Sequence, residues 1–264
     1  MAVADLTCGN IYEIIDGFAP FETCEAWDNS GLLSGRAGMR VTGIYCALDV
    51  SIRVIEDALS KGANLIVTHH PIMFGGRKNL SEDDAEGRML CALIRNGLCV
   101  ISAHTNFDKA DGGVSDILAG RIGLRDVHKP ECDEEGYLRI GVTEALTLSE
   151  FAARVRTALG DAVRVYGEPD RLVRTVCVCG GAGGEYAALS RAAGADAYLT
   201  GEMRYHDSFD LAQEGFATLQ AGHDATERIA VGALKQRIEN ALRERNTDIP
   251  VYLSDVDCFS LRSF

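Results

Sequence analysis

Three segments of the chain end an apolar run in side chains that bind metals. The first is LIVTHH, closed by His69 and His70 before Pro71. The second is CVISAHTNFD, with His104 and Asp108, and the third is FATLQAGHDATE, with His223 and Glu227. Inside a regular strand, neighbouring side chains point to opposite faces, so adjacent histidines would serve different places. At a strand end the backbone can turn, and Pro71 biases His70 towards extended or turn geometry. Both imidazoles are then expected to reach one edge. His223 and Glu227, at the start of a predicted helix, have the i, i+4 spacing of a shared face. Gly222 permits the sharp turn from strand into helix. The set His69, His70, His223, Asp108 and Glu227 exceeds the roughly three protein ligands of a single catalytic zinc. It suits two divalent ions bridged by a carboxylate. Ligand type does not choose among zinc, iron, manganese and nickel.

These residues need elements that carry them to a common edge, and the chain supplies alternating strands and helices. VTGIYCALDV reads as a buried strand, SIRVIEDALSKGA as an amphipathic helix starting at Ser51, and NLIVTHH as the next strand. DDAEGRMLCALIRNG is a helix ending at Gly97, LCVISAHTNFD a strand, and GVSDILAGRIG a helix. Such β-α-β-α-β order, with continuous apolar strands, predicts a parallel sheet covered by helices. In open α/β sheets, ligands gather outside the carboxyl ends of the strands, where all three segments place their donors. Residues 125–137, RDVHKPECDEEGY, are polar and aperiodic and read as a boundary or long surface connection. A strand over 138–144, a helix from Ser149, two strands joined by a turn in VRVYGEPDRLVRTVCVCG, and a glycine-rich loop follow. The helix EYAALSRAAGA, the strand DAYLTGE, a helix near HDSFDLAQEG, the strand FATLQAGH, a long helix from DATERIAV and a last strand in IPVYLSDVD complete the pattern. The expected fold is α/β with two lobes and mainly parallel sheets covered by helices. Residues 1–124 with 220–264 form the expected metal-binding lobe, and 125–219 the second.

The 264 residues are enough for a sizeable core, and 47% hydrophobic with 25% charged residues is an ordinary globular composition. A net charge of −13 speaks against broad nucleic-acid binding, which needs a basic footprint. No apolar run approaches the roughly 20 residues of a membrane span. The start, MAVADLTCGN, lacks the features of a secretory leader, so a cytoplasmic location is expected. The nine cysteines include no C-x-x-C pair; Cys177 and Cys179 share one face of a strand and are expected to be reduced core thiols.

The blocks AWDNSGLLSG, THHPIMF, SAHTNFDKADGGVSD, GADAYLTGEMRYHD and AGHDATE occur in this order along nearly the whole chain. In them the chain resembles the Nif-three-like family, also called GTP cyclohydrolase I type 2 homologues. The resemblance implies a two-lobed α/β fold, a toroidal homohexamer, and a dinuclear centre on His69, His70, Asp108, His223 and Glu227. The chain corresponds to the short form without the long central insertion of some relatives, and its tail, SDVDCFSLRSF, departs from their DPF-like endings.

The expected function is metal-dependent hydrolysis. Two metals activate a water for attack on an electrophilic carbon or phosphorus, and His104 or His206 moves a proton. The substrate class is a small molecule, a nucleotide or phosphoester; opening of a purine ring is one version. The alternatives are a non-catalytic metal-binding or scaffold module acting through its oligomer, and a nucleic-acid-binding ring, against which the acidic charge speaks. His104 can equally be a hydrogen-bonded structural histidine. Glu202 and His206 follow a strand end and can line the same cleft or serve as cap and packing. Asp28 and Asn29 are turn formers or cleft residues, with Trp27 expected to pack beneath their loop. Arg77 and Lys78 are surface charge or partners of an acidic substrate. The loop CGGAGGEY fits neither G-x-G-x-x-G nor a P-loop, and tight backbone packing is expected of it before phosphate binding. DKADGGVSD reads as a glycine turn followed by an N-capped helix.

Overall fold

The structure is a computed structural model that describes residues 6–256. The first residues of MAVADLTCGN and the last of SDVDCFSLRSF lie outside them. In chain order the elements run α1 (Cys8–Asp16), β1 (Gly31–Ser34), β2 (Ile44–Ala47), α2 (Ile52–Ser60), β3 (Leu65–Thr68), α3 (Ala85–Arg95), β4 (Cys99–Ser102) and α4 (Thr105–Lys109). Then come α5 (Val114–Arg121), β5 (Arg125–His128), β6 (Arg139–Thr147), α6 (Leu148–Leu159), β7 (Arg164–Tyr166), β8 (Leu172–Cys179) and α7 (Ala187–Ala192). The last are β9 (Ala197–Thr200), α8 (Tyr205–Gln213), β10 (Ala217–Gln220), α9 (His223–Glu244) and β11 (Val251–Leu253).

The described residues form two compact units. One contains the residues up to Phe107 and those from Val231 onward; the other is Asp108–Ala230. The sequence division at 124/125 rests on the polar texture of 125–137. The packing groups α5 with the second unit because Leu118, Ala119, Ile122 and Leu124 bury their side chains against Val176, Val178 and Leu199. The first turns of α9 join the same core through Ala225.

The first unit holds a sheet of order β1-β4-β3-β2-β11. Strands β4, β3, β2 and β11 are parallel, and β1 closes the edge antiparallel to β4. Every residue of β2, β3 and β4 is buried, as expected of parallel strands covered on both faces. The sheet packs Tyr45, Ile66 and Val100 against Val54, Ile55 and Ala58 of α2 and Met89, Leu90 and Leu93 of α3. Each buried Val, Ile, Leu or Met among these contributes about 1.5–3 kcal/mol by leaving water. Ser51 caps α2, its hydroxyl accepting from the Val54 N–H. The segment after β4 departs from expectation: LCVISAHTNFD is strand only to Ser102, and Thr105–Lys109 is helical.

The second unit holds a sheet of order β5-β6-β8-β9-β10-β7, in which β8, β9 and β10 are parallel. The flanking pairs β5·β6, β6·β8 and β7·β10 are antiparallel. Residues 125–128, expected within a connection, form the edge strand β5 instead. The two strands in VRVYGEPDRLVRTVCVCG are present but not paired with each other: β7 pairs with β10, and β8 lies between β6 and β9. Helix α5 has Gly113 at its N-cap and no side-chain cap bond, unlike the cap expected from DKADGGVSD.

Helix α6 begins one residue earlier than Ser149 suggests because Thr147 caps it. The Thr147 hydroxyl accepts from the Glu150 N–H at 3.2 Å, and the Glu150 carboxylate accepts from the Thr147 N–H at 2.8 Å. This reciprocal capping box satisfies two backbone donors that the helix leaves open. Replacing Thr147 with Ala is expected to lower stability by about 1 kcal/mol, read as a shift in urea midpoint. An unchanged midpoint would show that the cap contributes nothing.

Candidate metal centre

In the first unit the parallel strands β2, β3 and β4 run in register, with Ala47 opposite Thr68 and Thr68 opposite Ser102. Their carboxyl ends therefore lie side by side, and each is followed by a residue with metal chemistry: Asp49, His69 with His70, and His104. The backbone after β3 turns back at once. The Thr68 and Ser102 hydroxyls donate to the His70 carbonyl at 2.8 and 2.9 Å. This turn answers how neighbouring histidines share an edge: their ring centroids are 5.1 Å apart. His104 joins them at 5.1 Å from His69 and 5.7 Å from His70. One ring nitrogen from each of the three lies within 4.8 Å of the others.

Each imidazole is held from behind by an oxygen. His69 Nδ1 bonds the Ala103 carbonyl at 2.9 Å, His70 Nδ1 bonds Asp49 Oδ1 at 2.8 Å, and His104 Nδ1 bonds Asp28 Oδ1 at 2.9 Å. Carbonyl and carboxylate oxygens only accept, so Nδ1 carries the proton and Nε2 presents its lone pair. The sequence offers Asp28 as a turn former or cleft residue and gives no separate prominence to Asp49. The signal for Asp49 was there, since LDVS ends β2 as LIVTHH ends β3.

Asp28 is the anchor of this edge. Its carboxylate is fully buried and accepts from the Thr105 hydroxyl at 2.6 Å, the Ser30 hydroxyl at 2.7 Å and the Asn29 N–H at 2.7 Å, besides His104. Burial alone would raise its pKa. The hydrogen bonds from His104, Thr105 and Ser30 outweigh burial and hold it well below the usual carboxylate range.

The second unit repeats the arrangement. Strands β8, β9 and β10 are in register through Cys179, Thr200 and Gln220. Their ends lead into Gly181, Glu202 and His223. Gly222 adopts a φ of +87°, which lets the chain turn from β10 into α9. His223 Nδ1 bonds Glu202 Oε1 at 2.5 Å, and its Nε2 lies 3.1 Å from Glu227 Oε2 one helical turn on. Glu227 is buried, whereas Glu202 is exposed. Asp108 belongs to this unit. Burial first, then the negative charges of Asp108 and Glu227, push the buried Cys179 thiol well above its ordinary pKa.

The glycine loop after β8 makes room for these ligands. Gly181 has a φ of +61°, and a Cβ there would lie 2.1 Å from Glu227 Oε1 and 3.3 Å from His223 Nε2. Its N–H donates to the Thr226 hydroxyl at 3.0 Å, tying the loop to α9. The backbone of CGGAGGEY therefore packs closely against the start of α9. Gly181→Ala is expected to displace Glu227 and weaken metal binding at least about tenfold, as changes beside a ligand do. Isothermal titration with zinc checks this; affinity within twofold of wild type would contradict it.

Other residues singled out from the sequence stand elsewhere. The structure brings Glu202, and not His206, onto His223; His206 is exposed on α8 with its ring 5.1 Å from Tyr205. Trp27 does not pack beneath its loop but is 62% exposed. Arg77 is engaged by Asp84 at 2.6 Å and Glu86 at 2.7 Å, so it is not free surface charge. Cys177 and Cys179 are buried thiols on one face of β8, as expected.

The donor chemistry fits divalent metal. Four imidazoles have Nδ1 on an oxygen acceptor, the second-sphere pattern of metal-binding histidines, and a buried carboxylate sits against one of them. No helix among the described residues is long and apolar enough to cross a membrane.

Comparison with known proteins shows what the chain is similar to in sequence and fold. The family model described as Duf34/NIF3 (NGG1p interacting factor 3) matches residues 6–258. A Streptomyces coelicolor protein named GTP cyclohydrolase 1 type 2 homolog is 38% identical over 224 residues, covering 81% of this chain and 79% of that protein. A Clostridium acetobutylicum protein of the same name is 31% identical over 252 residues, covering 93% and 94%. The crystal structure of Staphylococcus aureus hypothetical protein SA1388 superposes with a TM-score of 0.93 at 25% identity, covering 99% of this chain and all of that one.

Proposed function

We propose a function for a chain that belongs to the Duf34/NIF3 (NGG1p interacting factor 3) family: it is a dinuclear metal protein that hydrolyses a small nucleotide-like or phosphoester substrate. His69, His70, Asp108, His223 and Glu227 are the proposed ligands. The observation that carries this reading is the orientation of the imidazoles. His69, His70 and His223 each give Nδ1 to an oxygen acceptor, the way metal-ligating histidines are held from behind, and His223 Nε2 lies 3.1 Å from the Glu227 carboxylate. Zinc, iron, manganese and nickel all suit these donors. Bound divalent metal supplies Lewis-acid polarisation and a nucleophile at neutral pH.

The chain's own residues then have separate tasks. Asp49 and Glu202 hold His70 and His223 in position. His104, with Asp28 behind its Nδ1, is the proposed proton carrier: Asp28 stabilises the imidazolium that forms when Nε2 takes a proton. The exposed His206 is the alternative carrier. The names of the curated relatives favour a nucleotide-related substrate. Assembly as a homohexamer and a cytoplasmic location accompany this reading.

The test is a screen of nucleotides and phosphoesters with the protein as purified, after chelation, and after metal is restored. Turnover lost on chelation and regained with metal supports the hydrolase. Metal bound stoichiometrically with no turnover of any substrate supports the non-catalytic module instead.

A further inference from the structure

We propose that Trp27 and Phe74 form a subsite for a planar heteroaromatic ring, such as a purine base, and present it to His104. The proposal deepens the function above by giving the hydrolase its substrate class, and it rests on that reading only for the reaction. Trp27 is 62% exposed and Phe74 57% exposed. Both meet the same imidazole edge-on: Trp27 at 6.2 Å and 79°, Phe74 at 5.7 Å and 68°. Two large apolar rings left in water around one polar ring form a surface built for recognition rather than packing.

The neighbours of both rings are pinned. Asp28, next to Trp27, is buried in its hydrogen-bond network. Ile72, two residues before Phe74, is buried in the core. The Asn29 side-chain amide donates to the Met73 carbonyl at 2.7 Å and ties the two loops together. The aromatic pair is thus preorganised, which lowers the entropy cost of binding. Two largely exposed aromatic rings suit a flat ring, since every nucleobase has a face to stack. The Asp28 bond fixes His104 Nδ1 as a donor, so Nε2 accepts a hydrogen bond from a ring N–H. A bare sugar phosphate gains nothing from the aromatic faces.

The chain contains one tryptophan, so its emission reports on Trp27 alone. Guanosine is titrated into the full-length protein as purified and after chelation, with ribose 5-phosphate as control. Saturable quenching by guanosine in both preparations, and none by ribose 5-phosphate, is expected. Phe74→Ala should raise the guanosine dissociation constant about tenfold or more while metal content and circular dichroism stay at wild-type values. Absence of saturable quenching by guanosine, or an unchanged dissociation constant in Phe74→Ala, overturns the subsite. Failure of the metal assignment shows separately, as unchanged metal content in His69→Ala.

Discussion

Protein carrying His69→Ala or Glu227→Ala is expected to lose at least about half of its bound metal and to bind the rest more than about 100-fold more weakly. Disturbing a group behind a metal ligand typically costs 10- to 100-fold in affinity, and removing a ligand costs more. His69 is 1% exposed with Nδ1 on the Ala103 carbonyl, so its ring is held in one orientation and alanine removes a buried, positioned donor. Glu227 is 4% exposed, and its partner His223 is itself steered by Glu202. The measurement is metal content by inductively coupled plasma mass spectrometry after dialysis, followed by competition with a chromophoric chelator. Glu202→Ala serves as an intermediate case. It leaves every proposed ligand in place and releases only the His223 ring, so its loss should be smaller than that of Glu227→Ala. If His69→Ala and Glu227→Ala both keep wild-type metal with a native circular dichroism spectrum, the ligand assignment is wrong.

Arg139→Ala should destabilise the second unit by about 3–5 kcal/mol, the usual cost of breaking a buried charged network. Arg139 opens β6 and is 1% exposed. Its guanidinium donates to the carbonyls of Gly136 and Leu138 at 2.9 Å and of Ala110 at 3.0 Å, while Nε lies 2.8 Å from Asp116 Oδ1. A buried guanidinium is tolerated only because these acceptors replace its water. Alanine strands three carbonyls and the Asp116 carboxylate and leaves a cavity. The loop ahead of α5, and α5 itself, lose their tie to the sheet. Thermal melting should fall by on the order of 10 °C, with faster amide exchange in α5 and β6. Lysine at this position keeps the charge but lacks the planar fork, so Arg139→Lys should recover only part of the loss. A melting temperature within about 2 °C of wild type for Arg139→Ala would show that the network contributes little.

Periodicity and breakers carried most of the element order. The runs IYCA, LIVT and CVIS are short, apolar and bounded by polar or glycine residues, and all three are fully buried strands. Ser51 marked its helix start because a hydroxyl before an amphipathic run has a local partner three residues on. The errors occur where distant contacts overrule local pattern. RDVHKP looks like a connection, yet its first four residues pair with β6 at a sheet edge. HTNFD continues an apolar strand on paper, but Asp28, 77 positions earlier, accepts from the Thr105 N–H and stops the strand there.

The candidate ligands were legible for a chemical reason. Imidazole and carboxylate at the end of an apolar run are costly to leave beside a core unless something engages them, so their types and positions show in one dimension. The partners that orient them did not show. An aspartate after a strand reads as a turn residue until β2, β3 and β4 are set in register and Asp49 falls beside His70. The same holds for Glu202 beside His223. Which residues can do chemistry is thus a property of the chain as written. Which way each ring faces, and which rings stay in water, is decided only when strands far apart in sequence are laid next to each other, because a hydrogen bond reaches about 3 Å whatever the separation along the chain.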